Sequence, residues 1–271
     1  MSDAQELRIP KVIHYCWFGN NPLPEDAKRC IESWKEYCPD FEIKKWDESN
    51  FDINSIPYVQ EAYAAKKWAF VTDYVRLWVI EKEGGVYLDT DVELIASLDQ
   101  ILEGVGCVVC EEVPGRINTG VGFAATPHHP VVKAMLDEYS EAHFLLGNGS
   151  YDLTACPIRN TRGLVKQFYD GHAGLIPQSD CRVLSSDFMS PINAETGECK
   201  ITVNTVSIHH FSGSWKDDSE KELYAKKMKL QKNFGLVGTY IYYGYALFHE
   251  IKHRGLISAI KQAMQKISLR K

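Results

Sequence analysis

No apolar stretch in the 271-residue chain is long enough to make a convincing bilayer span, and the opening MSDAQELRIPKVIHYC has neither a basic leader nor an apolar signal core. A cytoplasmic protein is therefore expected. Internal repeats and low-complexity linkers are missing too. With 45% hydrophobic residues, the chain can bury one elaborated domain, or a main domain with an appendage. A net charge of -6 removes any whole-chain reason to expect nucleic acid as a partner. Eight cysteines are present, but a chain of this size needs no disulfide staples, so reduced thiols are expected. Cys107 and Cys110 form a lone CxxC inside the strand-like GVGCVVCEE, which reads as packing rather than a zinc site.

What is present alternates between strand and helix signals. KVIHYCWFG (11–19) is β-branched and aromatic and closes on glycine, as a first strand ending at a cleft would. Residues 25–37 place Ala27, Cys30, Ile31 and Trp34 at helical spacing, with Pro39 as the stop, and FEIKKW (41–46) alternates as a second strand. Residues 59–83 form a long helical pattern with room for one break, ended by Gly84 and Gly85. Strands are expected at 84–94, 106–112, 119–126 and 205–211, a helix at 129–144, and mostly helix in the last 60 residues. The expected class is α/β.

The most informative stretch is GGVYLDTDVEL (84–94). In an extended strand Val86, Leu88, Thr90 and Val92 point one way, and Tyr87, Asp89, Asp91 and Glu93 the other. Asp89 and Asp91 then share a face, where their repulsion is relieved by a cation, by solvent or by protonation. Carboxylate oxygens suit magnesium or manganese, which can neutralise a pyrophosphate. Asp73 and Arg76, three positions apart on the preceding helix, also share a face. They form either a structural ion pair or a pair that offers a carboxylate to sugar hydroxyls and a guanidinium to phosphate.

Four elements in order carry a family resemblance: IPKVIHYCWFG, AFVTDYVRLWVIEKEGGVYLDTDVEL, NTGVGFAATPHHP and IHHFSGSW. Together they resemble the DXD sugar-binding glycosyltransferases, which include yeast-type initiating α-1,6-mannosyltransferases, bacterial capsular and lipooligosaccharide transferases and, more distantly, the catalytic domains of large clostridial toxins. The resemblance implies a GT-A fold over residues 1–215, with a mixed central sheet flanked by helices, a nucleotide-diphosphate-sugar donor with UDP favoured, a manganese or magnesium ion, and transfer with retention. It implies that Trp17 stacks on the base, that Asp73 and Arg76 contact donor sugar and phosphate, and that Tyr87 lines the pocket. Asp89 and Asp91 are the DXD pair, Asn118 approaches donor sugar or acceptor, and Ser214 and Trp215 belong to a late loop over the pyrophosphate. Of His209 and His210, on opposite faces of a strand, the resemblance favours His210 as the further metal ligand, five residues before Trp215.

Residues 216–271 are expected as a helical extension packed on the catalytic domain. Residues 251–271 carry six basic and no acidic residues, so this segment can alternatively lie on an anionic membrane where a glycan or lipid-linked glycan acceptor is presented. Two rival readings remain: a non-catalytic nucleotide-sugar or glycan binder, and a magnesium-dependent phosphohydrolase built on LDTDV. The second fits less well, because Glu93 stands where that pattern expects Thr or Val.

Overall fold

The structure, a computed structural model, describes residues 8–193, 196–213 and 218–254. Ser214, Trp215 and the tail 255–271 therefore lie outside the described residues. The chain separates into two compact units, Met1–Pro191 with Ile201–Ser212, and Ile192–Lys200 with Gly213–Lys271.

The first unit begins β1 (Val12–Cys16), α1 (Glu25–Tyr37), β2 (Glu42–Trp46), α2 (Pro57–Ala64), α3 (Trp68–Glu83), β3 (Gly85–Tyr87), β4 (Val92–Leu94) and α4 (Asp99–Leu102). It continues with β5 (Cys107–Val113), β6 (Arg116–Ile117), β7 (Phe123–Ala125), α5 (Pro130–Leu136), α6 (Cys156–Val165), β8 (Gly174–Ile176), β9 (Cys181–Leu184), α7 (Ser186–Met189) and β10 (Ser207–His209). The main sheet runs β2-β1-β3-β7-β5-β9-β8, with β6 paired to β5. β1 is parallel to both β2 and β3, and β7 is antiparallel to β3 and β5, so the sheet is mixed as expected. Its central strands β3, β5 and β7 are apolar on both faces because helices cover both. Cys107 and Val109 of β5 enter one core with α2, α3 and α5, whereas Val108 and Cys110 enter the other with α1 and α4. All eight cysteines are free thiols, and Cys199 alone of them is exposed.

The helical spacing of α1 is realised, with Ala27, Cys30, Ile31 and Trp34 buried. This helix also clamps the chain just beyond the carboxylate pair. Trp34 Nε1 donates to the Val92 carbonyl at 2.7 Å, and Ser33 Oγ accepts from the Leu94 amide at 2.9 Å. The long pattern at 59–83 breaks once, at Lys66, whose φ of 56° separates α2 from α3.

The strand expected across 84–94 is two strands in two sheets. β3 belongs to the main sheet and β4 pairs with β10, while Leu88 to Asp91 cross between them, with a turn at Thr90 and Asp91. Local alternation nevertheless holds, since Val86, Leu88 and Val92 share one core while Tyr87 enters the other. The strand expected at 119–126 is confined to β7, and the helix expected from 129 gives way after Leu136 to a single 3-10 turn.

In the second unit, α8 (Asp218–Arg254) is interrupted at Gly235, whose φ of 55° and ψ of -132° are not helical. The two arms fold back on each other. Gln231 Nε2 donates to Thr239 Oγ1 at 3.1 Å, and Lys226 Nζ lies 3.3 Å from the Tyr245 ring centroid. Gly238 is required at the crossing, because a Cβ there would collide with the Leu230 carbonyl.

His14 joins three elements at the edge of the first unit's core. Its Nε2 lies 3.0 Å from the Gly84 carbonyl, and its Nδ1 accepts from Trp46 Nε1 at 3.0 Å. Accepting at Nδ1 requires a neutral ring, and burial pushes its pKa from the ordinary 6.5 down to about 4. The unfolded chain therefore binds a proton that the folded chain refuses between pH 6.5 and about 4. Stability present above that window should fall by about 3 kcal/mol as pH drops through it. Urea titrations across the window should show this loss in the parent and a flatter dependence in His14→Gln.

Candidate functional site

Three chain segments meet beyond the carboxyl ends of β1 and β3. The parallel register pairs His14 with Tyr87, and the Leu88 amide donates to the His14 carbonyl at 3.1 Å. Trp17, one residue past β1, and Asp89, two residues past β3, therefore leave the same edge of the sheet. Trp17 is half-buried, its Nε1 tied to the Asn21 carbonyl at 2.6 Å.

Arg76 is the centre of the site. Its guanidinium is buried, 3.1 Å from Asp73 Oδ1 and 3.4 Å from Asp89 Oδ1 through the same Nη2. Nε donates to the Thr72 carbonyl at 3.2 Å, and the guanidinium carbon lies 5.1 Å from the Tyr87 ring centroid. The Tyr87 hydroxyl donates to Asp89 Oδ1 at 2.8 Å, so a buried phenol and a buried cation fix one oxygen of the first DXD aspartate. Burial raises the Asp73 carboxyl to about 6, against the pull of Arg76, and raises Asp89 as well.

The NTG segment closes over this pair. A Cβ on Gly120 would stand 2.8 Å from Asp89 Oδ2, 2.9 Å from Arg76 Nη1 and 3.0 Å from Asn118 Oδ1, so no side chain fits there. Asn118 Oδ1 accepts from the Gly120 amide at 2.7 Å. Behind them, the Cys156 thiol lies 3.3 Å from Thr119 Oγ1 and 3.1 Å from Asn160 Nδ2, which also donates to Thr119 Oγ1 at 2.8 Å. Burial pushes that thiol up to about 12, which keeps it neutral. Asp152 is taken by Arg159 in an ion pair and also caps the Thr154 amide at 2.9 Å, an ordinary turn role.

The second DXD aspartate is held from the other side. Asp91 Oδ1 lies 3.4 Å from His209 Nε2, and Asp91 Oδ2 accepts from the Ser212 amide at 2.8 Å and its hydroxyl at 3.0 Å. Burial opposes ionisation of Asp91, yet His209 and Ser212 together hold it below the usual carboxylate range. The return of Ser212 depends on Phe211, whose φ is 52°, and whose ring packs 4.1 Å from that of His209.

The structure thus brings Asp73, Arg76, Tyr87, Asp89, Asp91 and Asn118 together, with Trp17 at the same sheet edge. It differs on the histidine. His209 pairs with Val92 across β10 and β4 and is buried beside Asp91, whereas His210 faces the opposite side and meets Glu93 at 2.7 Å. The period of two places only one of the pair near the aspartates, and the register selects His209. Asp89, Asp91 and His209 offer ligand atoms that all lie within 4.8 Å of one another. Cys156, Asn160 and Ser212 take part without having been expected to. Ser212 alone left a signal, standing beside a glycine in FSGSW where a turn could return it.

Residues 24–105 match the family model described as the glycosyltransferase sugar-binding region containing DXD motif. Over that segment the chain is similar to the DXD-containing glycosyltransferases. It is 33% identical over 124 residues to inositol phosphoceramide mannosyltransferase 3 of Schizosaccharomyces pombe, an alignment covering 44% of this chain and 35% of that relative. It is 27% identical over 222 residues to an uncharacterised glycosyltransferase of Acanthamoeba polyphaga mimivirus, covering 76% of this chain and 84% of the relative. A solved glycosyltransferase involved in glycosylation of the PBCV-1 major capsid superposes with a TM-score of 0.45 at 15% identity, over 79% of this chain and 98% of that one. The chain spans about a third of the length of the fission-yeast relative. Its α/β class rests on its own strand order.

Arg76 is the cation shared by buried Asp73 and half-buried Asp89, so its removal leaves both without a countercharge. Arg76→Met should cost about 3–5 kcal/mol in chemical denaturation, and Arg76→Lys, which keeps the charge but loses the planar fork, should cost less. Equal stability of Arg76→Met and the parent would contradict the buried network.

Proposed function

We propose that the chain is a metal-dependent retaining glycosyltransferase that moves a sugar from a nucleotide-diphosphate sugar, with UDP as the nucleotide, to a hydroxyl of a bacterial surface glycan or lipid-linked glycan. The observation that carries this reading is the convergence of Asp89, Asp91 and His209 beside the Asp73–Arg76 pair. Two carboxylates suit manganese or magnesium, the added imidazole favours manganese, and the buried His209 Nδ1 has no hydrogen-bond partner among the described residues. The donor set fits a divalent cation. Bound there, the cation would supply positive charge to the diphosphate of the donor.

The side chains of the site have separable tasks in this reading. Tyr87 and Arg76 fix Asp89, and His209 with Ser212 keeps Asp91 ionised, so neither carboxylate must reorganise when a donor arrives. Asp73 presents its second oxygen to sugar hydroxyls, and Asn118 approaches the sugar from the NTG segment. Trp17 stacks on the nucleotide base. The acceptor hydroxyl loses its proton to the departing diphosphate on the face from which it attacks, which retains the anomeric configuration. A phospho-aspartate mechanism at Asp89 is disfavoured, because Oδ1 is bonded to Tyr87 and Arg76 while Gly120 packs against Oδ2.

The test is a panel of nucleotide sugars incubated with the purified chain and manganese, with released nucleotide followed by mass spectrometry. UDP release from at least one donor is expected, and a chelator should abolish it. Asp91→Asn and His209→Ala should each lower the rate about a hundredfold or more, and His210→Ala should change it little. Tight donor binding with no nucleotide release across acceptors would replace the transferase reading with that of a binding protein.

A further inference from the structure

We propose that the second arm of α8, after Gly235, is a docking face for an anionic lipid surface. The inference is independent of the transfer chemistry. Residues 234–248, FGLVGTYIYYGYALF, contain no charged side chain. Helical spacing puts Val237, Tyr240, Ile241, Leu247 and Phe248 along one side of the arm, and Phe234 sits at the bend. These side chains are open to solvent: Val237 is 62% exposed, Tyr240 75% and Phe248 66%. A run of large apolar and aromatic side chains left open to water marks a surface that is covered in use.

The opposite side of the same arm is already occupied. Gly238 lies against the Leu230 carbonyl, Thr239 accepts from Gln231, and Tyr245 sits beneath Lys226. Packing the two arms together thus turns the apolar stripe outward rather than hiding it. Aromatic and aliphatic side chains on one side of a short helix suit the headgroup boundary of a bilayer, and among the described residues no helix is long and apolar enough to cross one.

Charge identifies the occupant. Residues 218–271 hold eleven basic and four acidic residues, a net +7, while residues 1–217 hold nineteen basic and 32 acidic, a net -13. In sequence the positive charge flanks the stripe, with Lys226, Lys227, Lys229 and Lys232 on the arm before Gly235 and Lys252 and Arg254 at the end of the arm after it. Pairing with a second copy would bring two such basic segments together, whereas an anionic membrane complements them.

Cosedimentation of the full chain with phosphatidylcholine vesicles, with and without phosphatidylglycerol, tests the proposal. Binding should require phosphatidylglycerol, weaken with salt, and fall about tenfold in the triple variant Phe234→Ser, Tyr240→Ser, Phe248→Ser with unchanged circular dichroism. Should the triple variant lose helicity, the single variants Tyr240→Ser and Phe248→Ser, each expected to weaken binding a few-fold, decide the matter. Equal vesicle binding by folded variants and parent would overturn the proposal. So would a parent that ignores vesicles, including one that instead forms a concentration-dependent dimer lost in these variants.

Discussion

A buried cation between a buried and a half-buried carboxylate organises the first unit's site. Arg76 is shielded from water, as are Asp73 and most of Asp89, and charges so placed persist only when they neutralise one another. One guanidinium facing two acids leaves net negative charge at the end of β3. Asp91 adds to it a few ångströms away. The chain answers part of this charge with His209 and the Ser212 donors, and an arrangement that concentrates acid in this way is suited to receive a cation.

Each supporting element has a reason traceable to that constraint. Gly120 has no side chain because Asp89, Arg76 and Asn118 already fill the space above it. The break between β3 and β4 lets Asp89 remain with Tyr87 and Arg76 in the main core while Asp91 turns toward β10. Trp34 and Ser33 of α1 then hold β4 in place, so the position of Asp91 depends on a helix nearly sixty residues upstream. Rigidity of this kind lets a site bind a charged ligand without reorganising around it.

Much of this was legible from residue patterns, for identifiable reasons. The spacing of Ala27, Cys30, Ile31 and Trp34 is a purely local signal, and α1 appears with the expected bounds. Asp73 with Arg76, and Tyr87 with Asp89, were likewise near neighbours in sequence. Long-range register was not legible. Nothing local states that Val92 leaves the main sheet to pair with His209, and a family offset from Trp215 pointed to His210 instead. Cys156 and Asn160 were missed for the same reason, since their partner Thr119 lies on a different segment and a buried polar pair has no periodic signature.

The account depends most on the claim that Asp89, Asp91 and His209 form one cation site. Crystals grown with manganese and UDP, measured at the manganese absorption edge, test it directly. The account predicts an anomalous peak bounded by Asp91, His209 and the diphosphate, with Asp89 at its margin. A peak at His210 and Glu93, or none beside Asp91 with the diphosphate clearly bound, would contradict it.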